Sequence, residues 1–308
     1  MTGQEIRALI LAALALAAAA ALPALGSSYW LTMGVTIAMY TVLATSWALF
    51  SGPTHYISLA TAAFFGVGTY TTAIGIELLP YWTLLPIAAV LGAVMAALVG
   101  FATLRLSGVY FVIFTLGLAE FVRQIITWVQ NLTGQKGLYV LTDLTEKHIY
   151  WQLLGLAALV YLAGWLIARS RLGFALRIIG DDEEVARHVG IDTALAKIVL
   201  FMVPGAVAAV AGAMLAPRYI YIEPSLAFTP MLSFQVVIMA LLGGTGRLWG
   251  AVVGVIPFTL LWEAISASFP NQTTLLLGVA FLVIVYLLPR GFVGLLEDAR
   301  RRLGGGGW

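Results

Sequence analysis

The stretch "WQLLGLAALVYLAGWLIARSRLGFALRIIGDDEEVARHVGIDTALAKIVLFMVPGAVAAVAGAML", residues 151–215, sets one apolar run on each side of a charged island. Within the island four acids fall consecutively at Asp181, Asp182, Glu183 and Glu184, followed by Arg187, His188, Asp192 and Lys197. Each flanking run approaches the roughly 20 residues that a helix needs to cross the hydrocarbon core of a bilayer. The pattern therefore reads as two membrane spans joined by a loop that water, or something in water, must touch.

Working outward, the whole chain follows the same rule. Of 308 residues, 61% are hydrophobic and only 10% charged, with a mean hydropathy of +0.99. A water-soluble surface for a chain of this size needs far more charge, so a soluble domain is excluded and a polytopic membrane protein embedded in a lipid bilayer is expected. The apolar runs are much longer than barrel strands, and backbone groups in lipid must be satisfied internally, so the fold class is all-α. The chain has no cysteine, which removes disulfides, thiolate catalysis and zinc-thiolate sites. A net charge of +2 gives no reason to expect a nucleic-acid partner.

Ten transmembrane or partly broken helices are expected, near residues 8–25, 30–50, 55–77, 82–104, 109–130, 151–168, 195–216, 230–243, 248–268 and 272–289, in a single transmembrane domain over 1–308. The first run also has the apolar core and small-residue site of a signal peptide. A retained span is preferred, because the segment "MTGQEIR" before it carries no net side-chain charge. With both termini on the cytoplasmic side, Arg7, Arg105, Arg169, Arg171, Arg177, Arg187, Lys197, Arg247, Arg290 and Arg300 to Arg302 all fall inside, as the positive-inside rule asks. Only Lys136, Lys147 and Arg218 fall outside.

Splitting the spans into two five-helix halves of inverted orientation pairs the Gly/Thr/Ser-rich "SLATAAFFGVGTYTTAIG" with the short "SFQVVIMALLGG". Interrupted spans at matching positions point to a translocation path, here Ser58, Phe64, Phe65, Gly66, Gly68 and Thr69 with Gly243 and Gly244. The competing reading is close helix packing on small residues. Glu120 and Arg123, one helical turn apart in the fifth span, read either as path-lining charges or as a mutually neutralising clip. A proton relay fits less well, since no second intramembrane acid or histidine stands nearby. "GGTGRLWG" lacks the Lys-Ser/Thr ending of a phosphate loop, isolated histidines assemble no metal site, and no cofactor is expected.

In the charged island, Asp181 is expected as N-cap with Glu184 at the capping-box position, Arg187 and His188 in the last turn, and Gly190 as terminator. A helix of about eight residues is too short to stand alone. Its apolar members Val185, Val189 and Ile191 would face either the membrane domain or a partner. A solvated connecting loop is the alternative.

Resemblance sharpens this reading. The stretch "LRIIGDDEEVARHVGIDTALAKIVLFMVPGAVAAVAGAMLA" resembles the cytoplasmic coupling segment of ABC-importer permeases of the branched-chain amino-acid type, with Arg177, Glu183 or Glu184, Ala186, Gly190, Ile191, Lys197 and Phe201 at matching positions. "SLATAAFFGVGTYTTA" is similar to the family's "SLGHAAFFGIGAYTAA", and "RLSGVYFVIFTLGLAEFVRQI" to "RLRGLYFAIVTLAFAEILRLL". "TGQKGL", "LLGGTGRLWGAVVG" and "LPRGFVG" continue the likeness in order. Thr61 stands where the family has histidine, so no role of that histidine carries over, and Asp181-Asp182 replace a more basic mixture. The "GVYF…AEFVR" block points to a LivM-like rather than a LivH-like subunit. The resemblance implies a non-enzymatic permease in a bacterial inner membrane. It also implies cytoplasmic ATPase subunits gripping Arg177, Asp181 to Glu184, Ala186, Arg187 and Gly190 in the loop at 169–194. A LivH-like permease subunit and a periplasmic substrate-binding protein, received by residues 131–150 and 217–230, complete the assembly. The rival class is an ion-coupled secondary transporter or channel that needs no ATPase.

Overall fold

The computed structural model describes residues 19–25, 27–103, 108–134, 137–246, 249–287 and 291–294. The first long helix, α1 (Ser28–Thr54), runs 27 residues and is buried along most of its length. It continues through Pro53 and stops at His55, whose backbone takes the left-handed conformation (φ 57°) while its N–H donates to Ser51 O. A short non-helical segment, residues 55–60, leads into α2 (Thr61–Gly75), and α3 (Tyr81–Thr103) and α4 (Val109–Thr133) follow.

After α5 (Glu146–Arg169) come two short helices, α6 (Arg171–Asp181) and α7 (Glu183–His188). A second series then repeats the order of the first. The long α8 (Thr193–Leu215) is followed by a non-helical stretch with a one-turn helix α9 (Pro224–Ala227), then by the short buried α10 (Pro230–Gly243), by α11 (Gly250–Ser268) and by α12 (Thr273–Leu287). Among the described residues the regular structure is helical apart from two-residue strands β1 (Leu138–Tyr139) and β2 (Tyr221–Ile222), which pair antiparallel with Leu138 opposite Ile222.

The two series exchange partners. α2 and α3 lie against α8, while α10 and α11 lie against α1, and α1 and α8 touch one another at the centre. Close approach depends on missing side chains. A Cβ on Gly68 would run into the backbone carbonyl of Ala209, one on Gly212 into that of Phe65, and one on Gly92 would sit 2.5 Å from Gly205 O. Small residues let helix backbones meet where apolar burial offers no net drive inside a lipid solvent.

Contacts sort the connections onto two ends. One end gathers Gly180 against Pro53 O, Gly52 against Thr245 O, Gly291 against Leu241 O, and the start of α8. The opposite end gathers β1 with β2, Thr32 with Glu146, Arg218 with Glu146, and Tyr70 with Gln130. Arg169, Arg171, Arg177, Arg187 and Lys197 all lie at the first end, against Lys147 and Arg218 at the second. Arg7, Arg105, Lys136, Arg247, Arg290 and Arg300 to Arg302 lie outside the described residues.

Among the described residues, seven helical segments are long and apolar enough to cross a membrane, against the ten spans expected. Of the other three, residues 8–18 of the first lie outside the described residues. Of the remaining two, α12 is described over Thr273–Leu287 and the expected end of its span at 288–289 lies outside the described residues, while α2 has 15 residues. At 1.5 Å per residue such a helix reaches about 22 Å, short of a bilayer core of about 30 Å. For α2 the shortfall is accommodated because it is enclosed by α8, α3 and α10 and meets little lipid.

The crossing of α2 and α8 gives a direct test. Gly68→Ala places a methyl against a backbone carbonyl and is expected to cost about 1–3 kcal/mol. Gly155→Ala on α5, where a methyl meets open space, should be neutral or slightly stabilising. Thermal unfolding midpoints of the purified protein in detergent separate the two.

Candidate functional site

The charged island folds as a helical pair. Ser170 opens α6, its Oγ accepting from Gly173 N–H at 3.2 Å, and Arg177 Nη2 donates back to Ala168 O at 2.8 Å, which fixes α6 at an angle to the end of α5. α6 buries Leu176 and Ile179 and leaves Phe174, Arg177 and Asp181 exposed. Gly180 passes so close to Pro53 O that no side chain fits. This contact ties α6 to the end of α1.

The N-cap of α7 is Asp182, one residue later than the expected Asp181, which belongs to the last turn of α6. Asp182 Oδ1 accepts from Glu184 N–H at 2.8 Å and Val185 N–H at 3.2 Å. The sequence favours either aspartate as a cap. The extended backbone at Asp182 (φ −158°, ψ 115°) lets its carboxylate reach the first free N–H groups, whereas Asp181 is still helical. Glu184 thus sits at the second position and closes no capping box. α7 is six residues long and ends as expected at Gly190 (φ 84°), with Ile191 N–H donating to Ala186 O.

Glu183 is the hub of this end. Its Oε1 accepts from Lys197 Nζ at 2.8 Å, from Arg187 Nη2 at 2.8 Å and from Thr193 Oγ1 at 3.1 Å. Partial burial opposes its charge, but the bonds from Lys197, Arg187 and Thr193 outweigh it and hold the carboxyl below its ordinary value of 4.5. Lys197, in the first turns of α8, is 2% exposed, and its Nζ also reaches Tyr56 Oη at 3.4 Å and lies 4.7 Å from the centre of the Tyr56 ring. Tyr56 belongs to the non-helical segment before α2 and packs edge-on against Phe111 of α4. One buried ammonium therefore joins α7, α8 and the lead into α2.

Ala186 is the one fully buried side chain of α7. Val185 and Val189, expected to face either the membrane domain or a partner, are 50% and 68% exposed, while Ile191 packs on the core. The reason is geometric. The Glu183–Lys197 bond turns the Glu183/Ala186 side of the helix inward and leaves the valines outward beside Asp181 and Glu184. Val185 and Val189 thus form an exposed apolar pair bordered by charged side chains.

The residues expected along a path separate into three places. Ser58, Phe64, Phe65, Gly66, Gly68 and Thr69 are all buried in the core. Phe64 packs on Phe201, Gly66 faces the Phe228 ring, and Thr69 Oγ1 lies 3.0 Å from Phe65 O and 3.3 Å from Gly212 O. Gly243 and Gly244 carry the close turn into α11, Gly244 at φ 99°. Glu120 and Arg123 are elsewhere, on the outward side of α4. Arg123 Nε donates to Glu120 Oε2 at 2.8 Å, and Gln124 Nε2 to Glu120 Oε1 at 2.7 Å.

Two polar anchors escaped the sequence. Tyr40 on α1 donates its hydroxyl to Gln235 Oε1 on α10, and Ser233 Oγ accepts from Ala62 N–H at 2.9 Å. Both join one series to the other inside the membrane-length region. The signal available was a lone amide and a lone hydroxyl within the apolar "SFQVVIMALLGG".

A buried helical membrane domain with a projecting, capped helix pair tied to its central helices defines a transport-type membrane domain. The chain belongs to the family described as branched-chain amino acid transport system / permease component, which matches residues 29–288. It is LivM-like: it is 27% identical, over 83% of this chain and 68% of the relative, to the high-affinity branched-chain amino acid transport system permease protein LivM of Escherichia coli K12. It is also 30% identical to LivH of the same organism over 49% of this chain and 48% of that one. The autoinducer 2 import system permease protein LsrC of Salmonella paratyphi B is 28% identical over 55% and 52%. No solved structure matches.

The hub makes two expectations. Glu183→Gln leaves a buried ammonium poorly compensated and should lower stability by about 3 kcal/mol, with most of the loss recovered in the double variant Glu183→Gln/Lys197→Met. Because the Glu183 pKa is lowered on folding, its contribution is complete above the ordinary carboxylate range and disappears as pH falls through the depressed value. Thermal midpoints measured from pH 7 down to about 3 should therefore fall more steeply for the wild type than for Glu183→Gln.

Proposed function

We propose that the chain is the LivM-like permease subunit of an ATP-driven importer that moves a branched-chain amino acid or related small solute from periplasm to cytoplasm by alternating access. The observation that carries this reading is the α6–α7 pair: an exposed apolar and acidic surface bonded through Glu183 and Lys197 to the central helices. No nucleotide-binding motif stands in the sequence, so the energy comes from separate ATPase subunits that cover Val185, Val189 and the acids around them. On this reading the α6–α7 end is cytoplasmic, both termini are cytoplasmic, and the membrane is the bacterial inner membrane.

Displacement of α7 is passed on in two directions. Through Lys197 it reaches α8. Through Tyr56 it reaches the segment before α2, the short enclosed helix whose tight side-chain packing suits a moving hinge better than a wetted lining. The exchange of partners between α1–α4 and α8–α12 supports two inverted halves that shift together. A LivH-like subunit completes the membrane assembly, and a periplasmic binding protein rests on the opposite end around β1, β2 and α9.

Reconstituted with its partners, the assembly is expected to take up solute only with ATP inside, and vanadate should block it. Uptake driven by a proton or sodium gradient alone would favour an ion-coupled carrier instead. Val185→Asp, on the exposed face, should reduce coupled uptake about tenfold or more while leaving membrane insertion and thermal stability unchanged. Charge reversal at Asp182 would remove the helix cap as well, and reversal at Glu183 would break the internal hub, so neither isolates the docking surface.

A further inference from the structure

The exposed surfaces of the membrane-length helices differ in one respect. α3 presents Val90, Leu91, Val94, Leu98 and Phe101, and α5 presents Leu159, Leu162 and Leu166, all apolar as a lipid-facing surface requires. α4 does not. Gly117, Glu120, Gln124, Thr127 and Asn131 recur at alternating intervals of three and four, so they fall in one line along the helix. All five are at least partly exposed, and nothing lies within contact distance of the space beside Gly117. The opposite side of α4, with Phe111, Thr115, Leu118 and Ala119, is buried on the core. A third sector, with Phe114, Phe121, Ile125 and Leu132, is exposed and apolar.

A polar line ending in lipid on a helix of this length is strongly disfavoured, and ionisable groups within spans face a protein interior or a water-filled cavity. The chemistry along the line is specific. The Glu120 and Arg123 side chains are 44% and 32% exposed, and they are bonded to each other. Arg123 gives Nε and one terminal nitrogen to Glu120, and no other protein acceptor engages its guanidinium among the described residues. Thr127 Oγ1 donates to Arg123 O at 2.8 Å, which settles its hydroxyl against the helix. The result is a carboxylate and a guanidinium joined in a fork with Gln124 also on Glu120 Oε1, which leaves further acceptor capacity on Glu120 Oε2 and the Nη1 side of Arg123 beside a gap at Gly117.

We propose that this line on α4 is the wall of the aqueous route, and that the Glu120–Arg123 pair receives a zwitterionic α-amino acid in transit. Glu120 takes the ammonium group and Arg123 the carboxylate, a bidentate match to a planar anion, while the side chain of the solute passes over Gly117. The inference rests on the permease reading, which supplies the facing wall from the second subunit.

The absence of native cysteine makes the test direct. Single cysteines at 117, 124 and 127 on the line, and at 98 and 125 on apolar surfaces, are introduced into the complete importer and treated with a membrane-impermeant thiol reagent. The line should react about tenfold faster than the apolar positions, and L-leucine should slow modification at 117 and 124. Equal, slow modification at all five positions overturns the route, and absence of leucine protection overturns the amino-acid assignment. Glu120→Gln and Arg123→Gln should each raise the KM for L-leucine uptake about tenfold, whereas an unchanged KM in both overturns the pairing. Slow modification with uptake still ATP-driven defeats this inference alone. Fast modification with uptake independent of ATP defeats the importer reading and spares the route.

Discussion

Lys197 is the one fully buried charge among the described residues, and the architecture of one end of the molecule is arranged to keep it satisfied. An ammonium removed from water needs a counter-charge and good geometry. Here the counter-charge comes from a different helix, Glu183, and the aromatic face of Tyr56 comes from a third element. α7 is too short to persist by its own backbone bonds. It is held by that ion pair, by the Asp182 cap and by the small buried side chain of Ala186.

The central region is governed by a different economy. Helices whose side chains are as apolar as lipid gain little by touching, so the crossings of α2 with α8 and of α3 with α8 rest on backbone proximity at Gly68, Gly212, Gly92 and Gly205. Polar groups then act as locators. Tyr40 with Gln235, and Ala62 N–H with Ser233, fix α10 and the start of α2 against their neighbours where the alternative partner would be hydrocarbon.

Much of this was legible in the residues. Apolar run lengths gave the helical class, and seven of the ten expected spans meet the length and hydropathy of a crossing. The helix termination at Gly190 and the short tenth helix at Pro230–Gly243 were readable because glycine and run length act locally. The cap moved from Asp181 to Asp182 because two adjacent aspartates have equal intrinsic preference, and the choice is made by how α6 packs on Pro53. The outward turn of Val185 and Val189 was hidden for the same reason: it depends on Glu183 meeting a lysine fourteen residues away. Glu120 and Arg123 stood out as charges in a span, but the rest of their line did not, since Gln, Thr and Asn are unremarkable one at a time. Only the knowledge of which side of α4 is already occupied turns their spacing into a surface.

The strand pair β1–β2 is small, yet it stitches the stretch between α4 and α5 to the stretch between α8 and α10, at the far end from Lys197. Leu138 and Ile222 are joined by main-chain hydrogen bonds, which tolerate rotation better than separation. The seam therefore keeps the two stretches side by side, so that neither can part from the other without breaking it.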